Sequence, residues 1–177
     1  MEGPDTTTST STSTSTGHAN SPGRGYQKCG RKKCLACQAI SHVDHQYFSS
    51  SATGKKYLLP EEELNCQSSN LIYLVTCSAC GQQYVGRCET SLKVRHHKHR
   101  TQLRHKTEGI GRHFDKCGGY ENFHISVIEN VKKPHSIKDR EVWWTKELET
   151  MHPLGMNLRD EGASGTKSKK KKGLKRL

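Results

Sequence analysis

Two short stretches of the chain are runs of β-branched and aromatic residues, a third alternates apolar with polar positions, and two longer ones repeat apolar positions at helical spacing. LIYLVTC (71–77) and QQYVGRC (82–88) are rich in β-branched and aromatic residues, and Ser78-Ala79-Cys80-Gly81 between them has turn composition. They predict a β-hairpin over Leu71 to Arg87. FHISVIENV alternates Phe123, Ile125 and Val127 and predicts a third strand. Thr90 to Lys106 predicts a helix with Thr90 or Ser91 as N-cap, and Ile110 to Phe114 a short one. Ser136 caps a last helix that runs to about Glu149, before His152-Pro153 stops it. The order β-β-α-β-α describes a small α+β domain over residues 70–158.

Polar residues interrupt the apolar faces at three places. In the last helix Ile137, Trp144 and Leu148 form an inward stripe, and the residue that completes it is Glu141. A carboxylate there costs several kcal/mol unless it is paired or ligates a cation. The alternative is a place at the stripe's edge, against a surface lysine. In the preceding long helix Leu92 and Leu103 mark the inner face, and Arg95 and His99 lie between them, one turn apart. Lys93, Lys98, Arg100 and Arg104 read as its solvated cationic face and as candidate phosphate contacts. In the hairpin, an even-numbered loop centred on Ala79-Cys80 pairs Val75 with Tyr84. Tyr73 and Tyr84 then share a face.

Outside this domain the pattern fades. Residues 1–25 are a Ser/Thr tract followed by Gly, His, Asn and Pro, too polar to offset the entropy of ordering. Residues 26–69 carry cysteines with weak periodicity, and 159–177 end in a lysine-rich tail that includes Lys169, Lys170, Lys171 and Lys172. The chain has a formal net charge of +12, spread over Arg24–Lys33, Arg87–Lys106 and Lys167–Arg176. That spread suits a polyanionic partner, nucleic acid, rather than a membrane surface, for which no amphipathic basic segment is present. No apolar run reaches spanning length and no signal-peptide core is visible, so a soluble intracellular protein is expected, nuclear if the tail is an import signal.

In a reducing compartment the eight cysteines are thiols or metal ligands rather than disulfides. CLAC, with Cys34 and Cys37, and CSAC, with Cys77 and Cys80, are two CxxC pairs. Each supplies two ligands from one turn, and together they would close a tetrahedral Zn²⁺ site. Cys29 and Cys66 are alternates, as are His42 and His45, since Cys34-x2-Cys37-x4-His42-x2-His45 is itself a Cys₂His₂ pattern. Unligated thiols and redox chemistry are the competing readings. Cys88 and Cys117 read as ordinary residues.

Taken together, these residues resemble the GIY-YIG nuclease superfamily. LIY, Leu71–Tyr73, stands in the first signature with Leu71 in the place of its Gly, and YVG, Tyr84–Gly86, in the second. Arg95 with His99, the run REVWW at Arg140–Trp144, and PLGMN at Pro153–Asn157 match the family's helices and closing turn. CLACQAI, TGKKY, NCQSSNLIYLVTC and CSACGQQYVG are similar to the endonuclease module of Penelope-like retroelements, here stand-alone or captured. The resemblance implies a small mixed or antiparallel sheet flanked by helices and a catalytic Mg²⁺ (or Mn²⁺) held chiefly by Glu141. It further implies Tyr73 as general base, its phenolate favoured by nearby cations, and Arg95 on the scissile phosphate. Tyr84 would bond the phosphate, His99 would orient its neighbours, and Asn157 would hold adjoining elements.

The expected function is metal-dependent hydrolysis of DNA phosphodiester bonds. The competing readings are a nucleic-acid-binding module of the same fold that does not cut, and a basic zinc-binding, RNA-associated protein.

Overall fold

In the computed structural model, which describes residues 26–40 and 46–158, the predicted hairpin is the centre of the molecule. Strand β3 (Leu71–Cys77) pairs antiparallel with β4 (Gln83–Cys88), and Val75 lies opposite Tyr84. The connecting turn is closed by Cys77 N–H to Gln82 O at 3.0 Å and Gly81 N–H to Cys77 O at 2.8 Å, so the loop Ser78–Gly81 is even-numbered, as required. Strand β5 (Phe123–Asn130) pairs antiparallel with the other side of β3, giving the order β4-β3-β5. A three-residue hairpin upstream, β1 (Tyr47–Ser49) with β2 (Lys56–Leu58), and a short helix α1 (Leu35–Ala39) were not predicted. Their patterns are too short for periodicity to register.

Helices cover both faces of the sheet. Helix α2 (Leu92–His105) begins at Ser91, whose hydroxyl accepts from Val94 N–H at 3.3 Å, and ends at Lys106 in the left-handed conformation. Helix α3 (Glu108–Lys116) and a 3₁₀ turn (Gly119–Asn122) follow. Together α2 and α3 bury Tyr73, Val75, Tyr84, Phe114 and Phe123 on one face. Helix α4 (Ile137–Glu147), capped by Ser136, packs on the other face with Ile72, Leu74, Val85 and Ile128. There Phe48 and Tyr57 of the small hairpin sit 5.5 and 5.3 Å from Trp144, ring centre to ring centre. Covered on both faces, β3 reads as a nearly unbroken apolar run rather than an alternating one.

The outer edge of β4 is covered by the closing turn. Asn157, 1% exposed, donates from Nδ2 to Val85 O and accepts at Oδ1 from Val85 N–H, both at 2.9 Å. Met156 N–H adds a bond to Gln83 O at 2.8 Å. A Cβ on Gly155 would collide with the backbone of Thr150, so only glycine lets the turn close this tightly. The amide of Asn157 thus does for β4 what another strand would do. The expected readings of residues 1–25 and 159–177, including Lys169–Lys172, fall outside the described residues, as do His42 and His45. No helix among the described residues is long and apolar enough to cross a membrane.

Asn157→Ala leaves the N–H and C=O of Val85 buried without partners, each costing about 1–3 kcal/mol. Denaturant unfolding is expected to show a loss of about 3 kcal/mol, and a loss under about 0.5 kcal/mol would contradict this role.

Candidate active site

Tyr73 and Tyr84 share the face of the hairpin that meets α2, because Tyr73 pairs with Gly86 and the residues at 84, 86 and 88 point the same way. Both rings lie over Gly86. A Cβ there would overlap the Tyr73 ring and approach Tyr84 Cε1 to 2.7 Å, so the glycine is what permits the two phenols to converge. Arg95 reaches down from α2 and joins them, with Nε donating to the Tyr73 oxygen at 2.6 Å and Nη2 to the Tyr84 oxygen at 3.3 Å. His99, one turn further on, completes the cluster. Gln102 Oε1 lies 2.8 Å from His99 Nδ1, which puts the ring proton there and leaves Nε2 to accept the Tyr73 hydroxyl at 2.7 Å.

The inward placement of Arg95 and His99 thus follows from the leucine stripe as expected, but its electrostatic result does not. Burial pushes the Tyr73 phenol up, and the Arg95 guanidinium, which favours the ionised form, does not overcome it. Tyr73 is fully buried, and its hydroxyl stays protonated at rest, donated to a neutral imidazole. His99 is lowered to about 3, first by burial and then by Arg95. The neighbouring His96, which lies 2.7 Å from the Tyr120 hydroxyl, is lowered to about 4, chiefly by burial.

Glu141 comes from the opposite face. It is 1% exposed on the stripe of α4, and its Oε2 forms an ion pair with Arg87 Nη1. The edge-of-stripe alternative, with a surface lysine as partner, is therefore replaced by a half-buried strand arginine. Arg87 also lies 3.5 Å from Glu89. Sequence reading missed Arg87, although strand alternation places it opposite Ile72, on the α4 face. Just past the end of β4 the two faces open into one cavity of about 300 Å³, lined by Arg87, Glu89, Arg95, Lys98 and Glu141. Asn157 does not reach it and acts on the backbone of β4. Lys93, Arg100 and Arg104 face outward from α2.

Hard carboxylate oxygens and room for water and phosphate oxygens are what Mg²⁺ or Mn²⁺ takes, so the residues present fit a divalent ion at Glu141. Arg87 keeps the buried carboxylate compensated.

The cysteines assemble differently from the expected single site. Cys34 and Cys37 meet Cys29 and Cys66, while Cys77 and Cys80 meet His113 and Cys117. In each cluster the ligand atoms lie within 4.8 Å of one another, and no disulfide forms. In the first, Cys34 and Cys66 Sγ are 3.7 Å apart and Cys29 and Cys37 Sγ 3.5 Å. Such spacings are near the roughly 3.8 Å edge of a tetrahedron with 2.3 Å metal–sulfur bonds. A backbone N–H at Arg31 lowers Cys29 to about 7, whereas burial raises Cys66 to about 12. In the second, Cys80 Sγ is 3.5 Å from His113 Nε2, and burial pushes Cys117 up to about 11. The two CxxC pairs therefore belong to separate clusters, each able to hold a metal, and Cys117 is a candidate ligand rather than an ordinary residue. His113 and Cys117, one turn apart at the end of α3, were a readable signal. Cys88 is an ordinary buried core residue.

Residues 69–153 match the family model described as the GIY-YIG catalytic domain. The chain carries a GIY-YIG domain. Among solved structures, the catalytic domain of homing endonuclease I-TevI is similar at 25% identity, covering 50% of this chain and 96% of that one, with a TM-score of 0.43. A mutant of the same catalytic domain, from intron endonuclease I-TevI, is similar at 26% identity over 50% and 92%, also with a TM-score of 0.43. No curated protein matches the chain. The GIY-YIG domain includes Tyr73, Tyr84, Arg95, His99, Glu141 and the whole second cysteine cluster, whereas Asn157 and all four residues of the first cluster lie beyond it.

Two measurements check this site. Metal content of purified protein is expected to be two equivalents per chain, with Cys34→Ser and Cys117→Ser each removing one. A single equivalent lost only in Cys34→Ser would contradict the second cluster. His96 and His99 have folded pKa values of about 4 and about 3, below the unfolded value of 6.5. The stability this gives is full above pH 6.5 and is lost as pH falls below it, by up to about 1.4 kcal/mol per unit for each histidine. Unfolding curves from pH 7 to 4 should show that slope, reduced by about half in His96→Leu. An equal slope in the variant would rule out His96 as its source.

Proposed function

We propose that the protein is a metal-dependent endonuclease that hydrolyses DNA phosphodiester bonds. The observation that carries this reading is the meeting of Arg95 and Glu141 in one cavity from opposite faces of the sheet, with two phenols tied to the same arginine. A phosphate in that cavity would find Arg95, Arg87 and Lys98 as cations, and Glu141 would hold the divalent ion, which supplies polarisation of a phosphoryl oxygen. Arg95 would turn its fork to the phosphate and so uncover the Tyr73 oxygen. Tyr73 would then take a proton from the attacking water while its own proton passes to His99 Nε2. The phosphate's charge beside Arg95 offsets what burial and that cation do to the imidazole. Attack forms the new phosphorus–oxygen bond as the bond to the 3′-oxygen breaks, leaving a 5′-phosphate and, after protonation, a 3′-hydroxyl. Tyr84 would contact the phosphate.

Four sulfur ligands at the first cluster, and three with a histidine at the second, support Zn²⁺ as the metal there. The cysteine-bearing run upstream of the GIY-YIG domain supports placing the protein with Penelope-like retroelement modules, stand-alone or captured. The lysine-rich tail supports a nuclear address.

Incubation of the purified chain with supercoiled plasmid and Mg²⁺ is expected to give nicked or linear product, and none with EDTA. Glu141→Ala should lower cleavage by at least about 10³-fold while still binding plasmid. Plasmid left equally intact by both proteins, and bound by both, would favour the non-cleaving module instead.

A further inference from the structure

On α2, Lys93, His97, Arg100 and Arg104 recur at intervals of four, three and four residues and are all exposed, so they form one helical face. This face is turned away from the tyrosines. It forms one wall of two depressions. The first, about 290 Å³, lies against the segment bearing the first cysteine cluster and is lined by Arg31, Lys33, Lys93, His97 and Arg100. The second, about 630 Å³, lies against α3 and the 3₁₀ turn and includes His97, Arg100, Arg104 and Tyr120. His97 and Arg100 line both, so the two are one groove along the helix. Its one carboxylate among these residues, Asp115, is held by Lys106 at 2.9 Å. Arg100 lies over the Tyr120 ring at 5.8 Å, which holds its guanidinium between the two depressions.

The cysteine cluster sets the groove's first wall. Cys66 O accepts from Lys93 N–H at 2.7 Å, so a ligand of the cluster also satisfies the first turn of α2. Arg31 and Lys33 are fixed between Cys29 and Cys34 of the same cluster. From Lys93 to Arg104 the helix rises about 17 Å, equal to about five base-pair steps measured along a duplex axis, at about 3.4 Å of axis per phosphate of one strand. On an adjoining face of the same helix, Arg95 and Lys98 line the catalytic cavity.

We propose that this groove holds the sugar–phosphate backbone of one strand of duplex DNA beside the bond to be cut, with the cysteine-cluster segment as a phosphate-binding wall. The proposal rests on the reading of the protein as a DNA endonuclease and adds the path of its substrate. Each cation that contacts a phosphate releases a counterion, so binding weakens with salt in proportion to the number of contacts.

The test is the salt dependence of duplex DNA binding by the full chain, without added Mg²⁺. Replacing Arg31, Lys33, Lys93 and Arg100 together by Ser should flatten the slope of log K against log salt by about 3–4, or about 0.9 per contact. Lys138→Ser with Lys146→Ser, on α4, should leave it unchanged. Metal content shows whether the fourfold variant has folded. Should it lose metal, Lys93→Ser and Arg100→Ser singly carry the test, each with a change of about 0.9. A slope equal to wild type, or an equal flattening in the α4 variant, overturns the groove. Plasmid cleavage separates the two readings: a flattened slope without cleavage keeps the groove and sinks the enzyme, and cleavage with an unchanged slope does the reverse.

Discussion

Strand β4 has a hydrogen-bonding neighbour on one side only, and its outer N–H and C=O groups must be satisfied without one on the other. The chain instead uses one side-chain amide, Asn157, on Val85, and one backbone N–H, from Met156, on Gln83. Both act on the stretch before Gly86, which leaves the end of β4 open. Arg87 and Glu141 come together at that open end, and residues from both faces of the sheet line one cavity there. Edge protection and access to the site are in this way one arrangement.

The buried charges follow the same logic. Glu141 inside a core stripe is tolerable because Arg87 stands against it, and Arg95 because two phenol oxygens accept its protons. His96 and His99 on the same helix stay neutral, first because burial disfavours the imidazolium and, at His99, also because Arg95 stands beside it. The resting site is then a neutral phenol and imidazole with one arginine over them. It is poised to bind an anion rather than already charged as a base. The small core gains further constraint from the cysteine clusters. One gathers four cysteines of the segment before the hairpin, where Cys66 O also accepts from Lys93 N–H of α2, and the other joins the hairpin turn to the end of α3.

What the sequence made legible was local and periodic. The facing of Tyr73 and Tyr84 could be read because strand alternation and an even loop leave no other answer. Glu141 could be read because a carboxylate on a stripe of Ile137, Trp144 and Leu148 conflicts with its surroundings. The cysteine partnership could not, since a CxxC pair supplies half a site and does not say which distant residues complete it. Cys66 is one alternate among several, and its pairing with Cys34 and Cys37, like that of Cys77 and Cys80 with His113 and Cys117, is set by the fold. Nor could the sequence say that burial outweighs Arg95 at Tyr73, because that depends on how deeply the hairpin sits beneath α2. The β1–β2 hairpin was hidden by its shortness, and its contribution, Phe48 and Tyr57 against Trp144, is a tertiary one.

Helix α2 carries opposite demands on its two sides and meets them by choosing which basic residues may be charged. Its inner side buries Leu92, His96 and His99, and imidazoles there can shed their protons where lysines could do so only at greater cost. Its outer side keeps Lys93, Arg100 and Arg104 in water, where charge costs nothing. Arg95 stands at the boundary, buried enough to bridge two phenols yet lining the cavity. A helix this polar would be marginal by itself. It is held at one end by Ser91 and the carbonyl of Cys66, and at the other by the left-handed turn at Lys106. The register of the outer cations against the inner site is therefore fixed by the same caps that keep the helix folded.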